Sequence, residues 1–244
     1  MSLYFTDHIL FLIIGILLPS ISIYSSQGNT KNIELNRKEK CQVYLGNSLI
    51  LFILAILVLA NWYFLDRPFS DIGIRNPQDS KNGLSIILLI LFIGLYLADT
   101  FFSLFPQSRK HKTIEKWKKR SYILPVSKQE FYCFIVLSVS AGVCEEIMFR
   151  GFLITYLYNL LGTSKLTIYI AVFVPAFLFG IAHAYQGTHA VIKVVLMAVI
   201  FGFVYVLSGS IIWLIIIHIL VDIIGGILAK EFFVKPDLDE VNTY

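Results

Sequence analysis

Residues 144–150, Cys144-Glu145-Glu146-Ile147-Met148-Phe149-Arg150, place two adjacent carboxylates and a guanidinium inside an apolar run. A charged side chain at the centre of a bilayer costs at least about 2.5–3.5 kcal/mol, so such a cluster must face a polar cavity and pair with its neighbours. On an α-helix Glu146 and Arg150 stand at i and i+4 on one face, the spacing of an ion pair. Glu145 points about 100° away. Left without that partner in an apolar setting, it is suited to proton transfer. The plainer reading is that both glutamates only stitch helices together.

Two histidines lie in later apolar runs. His183 follows Phe177-Leu-Phe-Gly-Ile-Ala, and His218 has Asp222 at i+4, where a carboxylate can orient an imidazole. These residue types alone leave catalysis and transport equally open. His8, His111 and His189 fall at the periphery, where solvated or interfacial roles are expected.

The elements that must position these groups are membrane helices. The chain is 57% hydrophobic and only 15% charged, with mean hydropathy +0.75, whereas soluble domains carry roughly 25% charged residues. Apolar runs long enough to cross about 30 Å of hydrocarbon occur near 8–24, 43–64, 83–105, 129–157, 168–186, 190–208 and 211–229. The expected fold is therefore all-α: a polytopic transmembrane helix bundle of about seven spans, six to eight, with a catalytic core in the C-terminal four. Three parts are expected: N-terminal helices and a basic loop over 1–124, the core over 125–232, and a polar tail over 233–244. The first run carries Pro19 and could be a signal-peptide core, but no Lys or Arg precedes it, so it reads as a true span.

Seven spans gather most of the cations on one side, including Lys31, Arg37, Lys38, Lys40, Arg109, Lys110, Lys112, Lys116, Lys118, Lys119, Arg120, Lys128, Lys193, Lys230 and Lys235. The opposite side has Arg67, Arg75, Lys81 and Lys165. The positive-inside rule makes the basic loops and C-terminus cytoplasmic. The loop from Arg109 to Lys128 reads as a topological anchor that meets acidic headgroups, and no nucleic-acid partner is expected. Cys41, Cys133 and Cys144 show neither CxxC nor zinc spacing and read as free buried thiols. Gly225-Gly226 reads as a helix-packing feature.

Taken in order, Glu145-Glu146-x-x-x-Arg150, Phe179-x-x-x-His183 and His218-x-x-x-Asp222 resemble the signature of the CAAX protease and bacteriocin-processing family (CPBP, also called Abi), which consists of intramembrane endopeptidases. The resemblance covers about residues 125–230. It implies that Glu145 activates a water held jointly with His183, that His218 and residue 222 bind the oxyanion, and that Glu146, Arg150 and Phe179 support the geometry. Family members often carry Asn at the position of Asp222; an ionised Asp222 would repel an oxyanion, so it must be protonated or act by orienting a protonated His218. No cofactor is implied. HExxH is absent, yet Glu145, His183 and His218 together supply a His₂Glu zinc set, so a Zn²⁺ enzyme is the alternative.

Three rivals come from other classes. A cysteine protease would pair Cys144 with His183 or His218, but a thiol in apolar surroundings is usually inert. An ion-coupled transporter would use the same groups as a relay, yet repeated halves are not apparent. A noncatalytic bacteriocin-immunity or secretion scaffold would keep the bundle without needing the cluster. The expected partners are membrane lipids and a membrane-associated peptide or protein substrate. The expected location is a bacterial plasma membrane, and neither the substrate's identity nor the oligomeric state is encoded in these motifs.

Overall fold

Hydrocarbon offers no partner to backbone N–H and C=O groups, so a segment that crosses it must satisfy them within itself. In the computed structural model, which describes residues 2–27, 35–77, 82–118, 124–162 and 164–234, the apolar runs are helical and no strand occurs among the described residues. Seven helices are long and apolar enough to cross a membrane. The first span joins α1 (Phe5–Phe11), a π-helical turn (Leu12–Leu17) and α2 (Leu18–Gln27). Next come α3 (Arg37–Phe64), α4 (Asn82–Leu104) and α5 (Gln107–Lys118), the last a basic helix lying between spans. The fourth span is α6 (Lys128–Glu145), a second π-helical segment (Glu146–Ile154) and α7 (Thr155–Leu161). The remaining spans are α8 (Lys165–Ala182), α9 (Thr188–Ser208) and α10 (Ile212–Val234). The expected tail is outside the described residues from 235 onward, as are Lys31, Lys81, Lys119 and Arg120.

The fourth span is the axis of the bundle. α6 packs on α3 and α10, while the π-helical segment packs on α8, α3 and α9. Outward-facing side chains such as Ile56, Ile90 and Phe177 are more than half exposed, as suits helices solvated by lipid.

Two buried ion pairs join spans: one ties the first span to the end of α3, the other ties α3 to the fourth span. Asp7 and Arg67 form a bidentate pair at 2.8 and 2.7 Å, and Asn61 donates to the same carboxylate at 2.8 Å. Arg67 also lies over the Trp62 ring, 4.8 Å from its centroid. Near the other end of α3, Lys40 pairs with Glu130 at 3.1 Å, both buried. Lys40 is thus a helix fastener, in addition to its place in the charge asymmetry. His8 also joins the packing, its Nδ1 lying 2.7 Å from the Tyr156 hydroxyl.

The reading of three free thiols is corrected in part. Cys144 is free and buried, but Cys41 and Cys133 form a disulfide with Cα atoms 5.5 Å apart. The reason is topological: α3 and α6 are two spans apart, so they run parallel, and the early turns of both helices lie level. Sequence spacing cannot reveal this, because 92 residues separate the two cysteines.

A disulfide closing so long a loop typically adds 2–4 kcal/mol. Cys133→Ser is expected to lower the apparent Tm of the detergent-solubilised protein, and reduction of wild type should reproduce the shift. An unchanged Tm in both would show that the Lys40–Glu130 pair holds this end alone.

Candidate active site

Gly142 and Glu146 are i and i+4, and both face α10. A Cβ at position 142 would stand 3.1 Å from the Ile219 backbone nitrogen and 3.3 Å from the Ile215 carbonyl oxygen, so only glycine lets α10 come this close. That approach brings His218 to Glu146. On the far side of the same span, a Cβ at Gly151 would meet the Ile72 carbonyl at 2.7 Å, where the loop after α3 is seated against the fourth span.

At Glu146 the helix widens to π geometry, and all nine side chains through Ile154 are buried. Such departures from α geometry recur at functional sites. The expected pair forms within it: Arg150 Nη1 donates to Glu146 Oε1 at 2.7 Å. Two aromatic rings cover the guanidinium, with Phe179 and Phe201 centroids 4.7 and 5.3 Å from its carbon. Phe149 meets Phe179 edge-on at 4.9 Å.

The same Glu146 oxygen also accepts from His218 Nδ1 at 2.8 Å. This departs from the expected division of labour, in which Asp222 orients His218. Asp222 Oδ2 lies 3.9 Å from His218 Nε2, beyond hydrogen-bond length, while Glu145 Oε2 lies 3.7 Å from the same nitrogen. The orienting carboxylate is therefore Glu146, and Nε2 is turned toward Glu145 and Asp222. The i+4 rule places residues on one face of their own helix; it says nothing of a nearer carboxylate on another.

Exposure divides the cluster into two. Glu146, Arg150 and His218 are buried, whereas the Glu145 and Asp222 side chains are 13% and 34% exposed. The inner groups hold position and the outer ones are accessible. Glu145 Oε2, Glu146 Oε2 and Arg150 Nη2 find no hydrogen-bond partner among the described residues.

His183 stands not within the fifth span, as its apolar run suggested, but at its C-terminal cap (φ −101°, ψ 15°). α8 ends at Ala182, a short 3₁₀ turn follows over Ala184–Gln186, and Gly187 at φ 83° starts α9. Because a carbonyl only accepts, His183 Nδ1 donates to Phe179 O at 2.8 Å, leaving Nε2 as the acceptor in the neutral ring. Its ring is 4.5 Å from Phe179, whose other neighbours are Arg150 and His218. His183 makes no hydrogen bond or ion pair to Glu145; Phe179 is the spacer that brings them to one pocket wall. α8 stops at the level of the site, and α2 packs against the turn that follows, where Ser22 donates to the Ala182 carbonyl at 2.6 Å.

No group of three or more His, Cys, Asp and Glu among the described residues is gathered closely enough to hold a metal ion. Nδ1 of His183 and of His218 is hydrogen-bonded, which leaves Nε2 of each ring available to a ligand.

Residues 127–224 match the family model described as Rce1-like, type II CAAX prenyl endopeptidase Rce1-like. This is the family that the three motifs resemble, and the segment it covers carries every expected site residue. No curated protein and no solved structure matches the chain. The seven apolar spans make the chain an integral membrane protein, and its segment 127–224 is similar to the CAAX-type intramembrane proteases.

Sequence reasoning missed Phe201, the π-helical segment and the Glu146–His218 bond. Gly142, one turn before Glu146, was the available signal for the last; nothing singles out Phe201 among 20 phenylalanines.

Removing one member of a buried charge pair costs roughly 3–5 kcal/mol, because the other is left uncompensated. Arg150→Ala and Glu146→Ala are each expected to reduce folded yield and apparent Tm in detergent. Wild-type Tm in either variant would show that the remaining charge has another partner. Gly142→Val should also destabilise, by about 1–3 kcal/mol of overpacking, and abolish activity as α10 is pushed from α6.

Proposed function

We propose that the chain is a glutamate-type intramembrane endopeptidase that hydrolyses a peptide bond in a membrane-associated protein or peptide. The observation that carries this reading is a facing pair within the cluster. Glu145 Oε2 and His218 Nε2 stand 3.7 Å apart, and neither makes a hydrogen bond among the described residues. One is an acceptor for a water proton, and the other is a donor for a developing oxyanion.

Glu145 takes a proton from a water molecule whose other hydrogen reaches the free Nε2 of His183. The hydroxide adds to the peptide carbonyl carbon, a C–O bond forms, and the carbonyl electron pair moves to oxygen. His218, held as imidazolium by carboxylates facing both ring nitrogens, donates from Nε2 to that oxyanion. Collapse of the tetrahedral intermediate breaks the C–N bond, and Glu145 returns its proton to the leaving amine. The site's depth among apolar helices keeps these interactions strong by excluding bulk water. Asp222 sits on the outer side of His218, where a carboxylate supports the imidazolium through space.

The basic face is proposed to be cytoplasmic, with 125–232 as the protease core and membrane lipids as its surroundings. The substrate reaches the site from that face, past the end of α8. The motif family does not restrict it to prenylated proteins; matured peptides and other membrane-associated chains fit the same site.

Glu145→Gln keeps shape and removes the base, so it is expected to reduce proteolysis of membrane-associated test peptides by 10²–10⁴-fold, the usual contribution of an acid–base group. Folded yield should not change. More than about a tenth of wild-type rate in Glu145→Gln would overturn the assignment of the base. Cys144→Ala should retain activity, and the purified active enzyme should carry no stoichiometric zinc and resist phenanthroline. Zinc at one per chain, with activity restored only by metal, would establish the metal alternative.

A further inference from the structure

The site is not built wholly from the family-matched segment. α4 lies outside residues 127–224, yet its Tyr96 reaches α10. The phenol donates to the Val221 carbonyl at 3.3 Å, one residue before Asp222. The Tyr96 ring stacks on Phe92 with centroids 6.3 Å apart, and Phe92 meets Phe201 edge-on at 5.1 Å. Phe201 in turn lies under Arg150 and 6.5 Å from His218. A row of aromatic rings therefore connects α4 to the buried half of the site, and its outer member holds the backbone of the accessible half.

That backbone needs holding. His218 is fixed by Glu146, but one turn farther along α10 the Asp222 side chain is one-third exposed and makes no hydrogen bond of its own among the described residues. Gly225 and Gly226 follow: a Cβ at Gly226 would meet the Phe134 ring at 2.6 Å, so α10 is seated on α6 there, whereas a Cβ at Gly225 would meet nothing within 4 Å. On the face of α10 that α6 does not cover, Tyr96 supplies a tie to this turn.

We propose that Tyr96 is a positioning residue of the active site: its hydroxyl ties the Val221–Asp222 turn to α4 and so sets where Asp222 and His218 Nε2 stand relative to Glu145. The kinetic part of this inference rests on the peptidase reading; the structural part does not. It assigns the third span a role in the chemistry of a core that is otherwise C-terminal, and it makes the α4–α10 contact a determinant of turnover.

Tyr96→Phe removes one oxygen and keeps the stack on Phe92. In the full-length protein in detergent, amide hydrogen exchange across residues 217–226 is expected to accelerate while that of 128–145 stays at wild type. With a peptide substrate, kcat should fall about ten- to hundredfold, the range that a misplacement of roughly 1 Å can cost, while KM stays within about threefold. Combined with Asp222→Asn, the loss should fall short of the product of the two single losses, since both act on one turn. Exchange and kcat that overlay wild type would overturn the proposal, as would losses that multiply. An effect confined to KM would instead make Tyr96 a substrate contact, and a Tyr96→Phe protein that cannot be recovered folded would assign the phenol to global stability; either result also overturns it. If wild type cleaves no peptide, the peptidase reading fails and the exchange measurement alone decides the role of Tyr96.

Discussion

One carboxylate oxygen, Glu146 Oε1, accepts from both Arg150 and His218, deep among apolar helices. In a setting where an unpaired charge is so costly, this joint bond fixes the partners on three sides. Arg150 must lie on the same face of the same span, α10 must come within reach, and the guanidinium must be covered. The packing around it follows: Gly142 lets α10 approach, the π-helical segment buries every side chain it carries, and Phe179 and Phe201 stack on the remaining guanidinium faces. Phe179 then carries the constraint onward to α8, because its carbonyl sets the tautomer and direction of His183.

The N-terminal spans protect this arrangement from outside. They are tied at two heights, by Asp7 with Arg67 at one end of α3 and by Lys40 with Glu130 and the Cys41–Cys133 bond at the other. A buried ion pair contributes little net stability over a well-packed apolar pair, but it specifies register, since a slipped helix would strand both charges. A long α3 held at both ends presents a fixed surface to α6. The fourth span can then carry a locally unfavourable π geometry without sliding. The other spans present apolar side chains to lipid, which provides no directional contacts.

Depth and access are reconciled by helix length. The fourth span continues through the level of Glu145 in both directions, whereas α8 stops there and the chain turns into α9. Charge is held where it is buried, at Glu146, Arg150 and His218, while the Glu145 and Asp222 side chains are partly exposed. The two adjacent glutamates differ accordingly: Glu146 Oε1 accepts from both Arg150 and His218, while Glu145 Oε2, turned to the next face, finds no hydrogen-bond partner among the described residues.

The sequence by itself determined the helical class, the number and approximate limits of the spans, and the Glu146–Arg150 pair. Each depends only on local spacing: hydrocarbon enforces helix on apolar runs, and i+4 residues share a face on any helix. The motifs likewise named the family to which residues 127–224 were matched. What depended on other helices was not readable. Asp222 was the obvious partner of His218 along α10, but a carboxylate 72 positions away lies nearer. Cys41 and Cys133 meet because two parallel helices happen to lie level. His183 left its helix because the chain must turn back into α9, and Tyr96 joined the site because α4 packs on α9 beside α10. Local pattern fixes which face a side chain is on; only the packing of whole helices decides what that face meets.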